Sequence, residues 1–147
     1  MTSRDATTRW TGTLQEGHGD VTFDSSNAGE FEITLPTRAA ETAPDGKTSP
    51  EELLAAAHSA CLAMNTAATL ASAGITAESI AVSAEVFFGP DPAGGFHIPS
   101  IEVTLRARIP GLDAARFAEL AATANATCPV SKALAGTTIT VDAALED

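Results

Sequence analysis

The chain has 147 residues, with 8 Lys plus Arg against 19 Asp plus Glu, giving a formal net charge of −11. That length suits one domain with a real core. No Lys/Arg cluster offers a footprint for phosphate backbones or anionic lipid, so neither nucleic acid nor a membrane is an expected partner. Two cysteines make no disulfide scaffold, and "MTSRDATTRW" carries charge without the apolar run of a secretory signal, so a cytoplasmic, reducing location is expected.

From the N-terminus the text reads as short strands with period-two alternation: Trp10, Gly12 and Leu14, then Val21 and Phe23, then Phe31, Ile33 and Leu35. The breaks "EGHGD" and "SSNAG" carry turn residues, which predicts a three-stranded meander. "PTRAAETAPDGKT" reads as a polar loop. It ends at Ser49, an N-cap followed by Pro50 and by Glu52 at the capping-box position, so a helix starts here and Gly74 stops it.

The span from Leu53 to Ala77 is uncharged and long enough to raise the question of a membrane helix. It is mostly alanine, and His58, Asn65, Thr66 and Gly74 lower its transfer free energy, so a buried core helix packed on several sides is the better expectation. Ile80 to Phe88 and Ile101 to Ile109 then alternate as a hairpin with "GPDPAGG" between them. "GLDAARFAELAATANATC" is a helix capped by Asp113 with Phe117, Leu120, Ala121 and Ala124 on one stripe. Pro129 ends that helix or opens a short one, and "TTITVDAALE" closes the chain as a strand. The class is α+β.

Cys61 lies inside the alanine-rich helix, where free cysteine is ordinarily an apolar filler. Cys128 precedes Pro129 at a helix N-terminus, where the dipole favours a thiolate, so the residues alone make Cys128 the better nucleophile. His58 lies three residues before Cys61 and raises a Cys/His pair for a hydrolase or transferase, but no third orienting group accompanies it, and packing is its expected role. With no C-x-x-C or H-E-x-x-H, and with His18, His58 and His97 in three different elements, neither a metal nor a cofactor is expected. Arg38 is the only arginine between Arg9 and Arg106, and Glu51 in the first turn of the central helix is accounted for by the helix dipole. Leu53, Leu54, Leu62, Met64, Phe87 and Phe88 are the candidates for an apolar pocket; failing reactive thiols, such a pocket would mark a noncatalytic binding module.

Taken together, "SPEELLAAAHSAC" and "ATCPVSKAL" resemble the two signature regions of the OsmC/Ohr family of thiol-dependent organic hydroperoxide reductases, and the wording is closer to the osmotically inducible branch. The resemblance implies a single OsmC-like domain over residues 1–147. It has an N-terminal β-meander, a long buried central helix, a β-hairpin, a second helix and a C-terminal strand, and two copies intertwine as a homodimer with a shared active site. It also implies that Cys61 is the peroxidatic cysteine and Cys128 the resolving one, with Arg38 activating the thiol and Glu51 holding the guanidinium. The expected partners are an organic hydroperoxide and an external thiol or dithiol reductant. Glu51 and Cys61 are ten residues apart, about 15 Å along a straight helix. Either Arg38 spans that distance or a partner chain supplies Glu51.

Overall fold

The computed structural model describes residues 1–42 and 46–146. The chain comprises two compact units, Met1–Leu53 and Leu54–Asp147.

In the first unit, β1 (Thr7–Thr11), β2 (His18–Thr22) and β3 (Glu30–Ile33) form an antiparallel sheet in the order β1-β2-β3. This is the meander read from the sequence, with earlier bounds than expected: Gly12, at φ +89°, and Leu14 lie beyond β1, and Phe23 lies just past β2. Trp10, Gly19 and Ile33 lie side by side across the three strands. A Cβ on Gly19 would come within 3.0 Å of both the Trp10 ring and Ile33 Cγ1, so a glycine here lets the two large side chains approach over the sheet.

Leu35 does not extend the third strand as expected. It opens α1 (Leu35–Ala39), because Thr34 caps the turn by accepting the Thr37 N–H at 3.1 Å and Pro36 fits its first residues. The stretch read as a loop therefore starts as one helical turn, and Arg38 sits on it. The part of that loop over residues 43–45 lies outside the described residues.

The helix α2 (Pro50–Ser72) begins as its cap dictates: Glu52 N–H donates to Ser49 Oγ at 3.1 Å. The return half of the capping box is not made. Glu52 instead accepts the Thr48 hydroxyl at 2.6 Å. At the far end Gly74 adopts φ +72°, and the Ile75 N–H reaches Leu70 O while the Gly74 N–H reaches Ala71 O, the two bonds of a Schellman stop.

In the second unit, β4 (Ser79–Val86) pairs antiparallel with β7 (Ser100–Arg108). The connection between them carries its own small pair, β5 (Gly89–Pro90) with β6 (Phe96–His97), and Phe88 stacks on Phe96. After α3 (Ala114–Thr127) and α4 (Pro129–Ala133), β8 (Thr138–Leu145) returns parallel to β7, giving the order β4-β7-β8. A parallel return needs a long crossover, and α3 with α4 supplies it. The core joins Ile101, Val103, Leu105 and Ala107 of β7 with Phe117, Leu120, Ala121 and Ala124 of α3, the stripe read from the sequence.

By length and composition α2 could cross a membrane, yet it contributes Leu62 and Leu70 to this core. Within unit 2 its buried positions are His58, Leu62, Thr66 and Leu70, one stripe at every fourth residue, while Ala56, Ala57, Ala60, Ala67, Ala68 and Ala71 are exposed. Within the second unit the helix is therefore packed along one side, and that unit alone does not supply the several sides expected from its alanines. Four-residue spacing commits one face only, and alanine leaves the other faces short of contacts.

Candidate functional site

The second unit brings both cysteines together. Cys61 projects from the middle of α2 and Cys128 occupies the junction that is at once the C-cap of α3 and the N-cap of α4. Pro129 produces that junction: it cannot continue α3 with a hydrogen bond, but it fits the first position of α4. The two sulfurs lie 3.3 Å apart as free thiols, in S–H···S contact, although 67 residues separate them in sequence. Cys128 is fully buried and Cys61 is partly exposed.

Two thiols this close titrate as a pair, so that when one ionises the other is left to donate to it. Burial pushes the Cys61 thiol above its ordinary range; the Val130 N–H opposes this, and the neighbouring Cys128 adds to it. Burial acts in the same sense on Cys128, but there it is outweighed. The Ser131 hydroxyl and N–H, the Cys61 thiol and the Val130 N–H together hold Cys128 below the ordinary range. No cap hydrogen bond is made to the Cys128 side chain, so the two N–H groups act on it as dipoles.

His58 does not pair with Cys61. Its ring is completely buried, and Nε2 lies 2.9 Å from Ser131 Oγ. Ser131 Oγ in turn donates to Asn125 Oδ1 at 2.9 Å. Whether the hydroxyl hydrogen points to Asn125, as with both thiols protonated, or turns to an ionised Cys128, it does not point to His58, so Ser131 accepts from His58, which fixes the Nε2–H tautomer and leaves Nδ1 as a bare buried lone pair. Burial holds this imidazole below its ordinary value, so it is neutral near pH 7. Four residues beyond Cys61, Asn65 Nδ2 donates to Ala124 O at 2.6 Å and to Thr127 Oγ1 at 2.8 Å.

In the first unit, α1 and the first turn of α2 bring Arg38 and Glu51 into a two-pronged ion pair. Arg38 Nε lies 3.1 and 3.2 Å from the two carboxylate oxygens, and Nη2 lies 2.7 Å from Oε1. Glu51 is buried, so its carboxylate needs this partner. Beside the pair is a cavity of about 90 Å³ walled by Trp10, Leu14, Ile33, Leu35 and Pro50, with Arg38 on its lining. This first-unit cavity is not the pocket around Cys61 for which the sequence nominates Leu53, Leu54, Leu62, Met64, Phe87 and Phe88; of those, Leu62 is in the core of the second unit, Met64 is exposed and Phe88 stacks on Phe96.

Sequence reasoning did not single out Ser131, Asn125 or Asn65. A signal for Ser131 was present, since in "CPVS" the serine falls on the first turn of the helix that Cys128 caps.

Residues 43–143 match the family described as OsmC-like protein. The chain belongs to the OsmC-like family. It is 35% identical over 125 residues to Peroxiredoxin OsmC of Escherichia coli (strain K12), covering 85% of each chain. It is also 33% identical over 126 residues to the organic hydroperoxide resistance protein of Xanthomonas axonopodis pv. citri, covering 84% of each. Among solved structures, an organic hydroperoxide resistance protein from Elizabethkingia anophelis with crystallant-derived thiocyanate bound superposes with a TM-score of 0.75 at 31% identity, over 100% of this chain and 97% of that one. The α+β class and the OsmC fold expected from the sequence thus hold for this OsmC-like protein.

Proposed function

We propose that this OsmC-like protein is a cytoplasmic thiol peroxidase that reduces organic hydroperoxides to alcohols, with residues 1–147 acting as a single domain and two copies as a homodimer with a shared site. The observation that carries this reading is the pair of free thiols 3.3 Å apart, one partly exposed and one fully buried. An accessible thiol meets the substrate, and a buried neighbour is placed to trap the product. The names of the relatives, Peroxiredoxin OsmC and organic hydroperoxide resistance protein, support the same chemistry.

In this mechanism the Cys61 thiolate attacks the terminal oxygen of the hydroperoxide. The S–O bond forms as the O–O bond breaks, the alkoxide leaves and takes a proton to become the alcohol, and Cys61 is a sulfenic acid. Cys128 then attacks that sulfur as the thiolate, the S–S bond forms and hydroxide departs as water once protonated. An external dithiol returns the pair to thiols by exchange. The low range of Cys128 suits that reset, because a more acidic thiol is the better leaving group. Arg38 is assigned as the activating cation and Glu51 as the group that holds it, supported by their two-pronged ion pair. A Cys/His hydrolase is disfavoured, since His58 bonds Ser131 instead of Cys61.

The test is a thiol titration against cumene hydroperoxide and hydrogen peroxide. Two thiols should be lost together per copy. An aryl group burying on the order of 100 Å² gains about 2.5 kcal/mol, so kcat/KM for cumene hydroperoxide should exceed that for hydrogen peroxide at least about tenfold. Loss of one thiol only, or of none, would overturn the reading.

A further inference from the structure

The sulfur contact has a hydrogen-bonded support on each side along α2. One helical turn before Cys61, His58 donates to Ser131, which donates to Asn125. One turn after it, Asn65 donates to Ala124 O and Thr127 Oγ1. The receiving residues bracket the second cysteine in the same way, because Asn125, Thr127 and Ser131 lie within three residues of Cys128 on either side. The Cys128 N–H itself closes on Asn125 O at 3.2 Å. Leu62, the α2 residue facing the core between the two supports, makes apolar contacts that can slide; these hydrogen bonds, buried at His58 and part-buried at Asn65 Nδ2–Ala124 O, have one good geometry.

We propose that His58 and Asn65 are positioning residues for the thiol pair: their two clasps hold the turn carrying Cys128 against the helix carrying Cys61 and set the sulfur separation on which disulfide formation depends. The proposal rests on the reading of Cys61 and Cys128 as a redox pair, and it assigns the specificity of that pairing to polar groups outside the reacting atoms. His58 acts as a neutral donor, with Nε2–H toward Ser131, and its bare Nδ1 takes no part. Asn65 acts through its two amide hydrogens.

The experiment equilibrates the full-length protein with mixtures of reduced and oxidised dithiothreitol and counts the remaining thiols. In that exchange Cys61 and Cys128 give up two electrons and two protons to the oxidised dithiothreitol, and their S–S bond forms as its ring opens. His58→Leu and Asn65→Ala should each lower the equilibrium constant for disulfide formation about tenfold, equivalent to about 30 mV. His58→Gln, whose amide nitrogen can still donate to Ser131, should keep the parent value, and Asn65→Asp, which has the shape but not the hydrogens, should behave as Asn65→Ala. Parent values in both Asn65 variants would overturn the proposal even if His58→Leu failed to fold. So would a His58→Gln protein as impaired as His58→Leu, since shape and not donation would then matter. No hydroperoxide is present, so a protein that forms this disulfide reversibly and reduces no hydroperoxide would sink the proposed function and leave the positioning role standing.

Discussion

Cys61 and Cys128 stand with their sulfurs 3.3 Å apart but in unequal surroundings, one partly exposed within a long helix and the other sealed at a helix junction. Inequality of this kind divides the labour between two otherwise identical groups. The more acidic thiol is the buried one, so acidity and access point to different residues and mutation must decide which attacks first.

Cys61→Ser should abolish hydroperoxide reduction, whereas Cys128→Ser should react once per site and then stall as a sulfenic or overoxidised acid. Mass spectrometry after one equivalent of cumene hydroperoxide reads the difference directly. Multiple turnovers in Cys61→Ser would instead make Cys128 the attacking thiol, the ranking that the residues alone suggest.

Arg38→Ala removes the cation from a buried carboxylate, so beyond slowing Cys61 it should cost about 1–2 kcal/mol of stability. That figure stays low because the arginine side chain is 36% exposed and water shares the pairing. Arg38→Lys should recover stability more fully than rate, since an ammonium neutralises Glu51 without the two-pronged hold. Urea midpoints and hydroperoxide kinetics on the same preparations separate the two effects. A rate that is unaffected in Arg38→Ala would take the residue out of the site.

His58 gives stability a pH dependence of definite sign. Burial lowers its folded pKa, while the unfolded chain takes up a proton there near pH 6.5. Below that pH the unfolded state binds more protons, so stability falls on acidification until the folded imidazole also protonates; above it His58 contributes no slope. His58→Gln should therefore lose less stability than the parent between about pH 7 and pH 5.5. Carboxylates act equally on both proteins and cancel in the comparison. Identical pH slopes would mean that the ring is not held neutral.

Thr66→Val should stabilise the protein by about 1 kcal/mol. Thr66 is buried with no hydrogen-bond partner for Oγ1, and valine has nearly the same shape without the stranded hydroxyl. A fall in thermal midpoint would show that the hydroxyl has a partner outside the described contacts of this chain.

Local signals carried most of the fold. Ser49 and Gly74 bound α2 because caps are short-range chemistry, and the alternation in β7 was visible because one face of that strand is buried. What escaped was either one turn long, as with the Thr34 cap that turns Leu35 into a helix, or long-range, as with the parallel return of β8 to β7. The clasps escaped for the second reason: the partner of His58 lies 73 residues away and those of Asn65 lie 59 and 62 away, and no spacing rule joins them. Composition left the packing of α2 open, because an all-round apolar helix says how many faces can be packed and not how many the second unit packs by itself.

The bare alanine faces of α2 bear on how the protein lives in a cell. Met64 and the alanines around it form a surface that water neither hydrates well nor strongly rejects, the kind that quality-control machinery samples in unfinished chains. A single copy is thus complete in its hydrogen-bonded thiol region yet exposed on the same helix. If two copies pair through that helix and share a site, dilution that separates them uncovers this face and removes the partner's part in the chemistry in the same step.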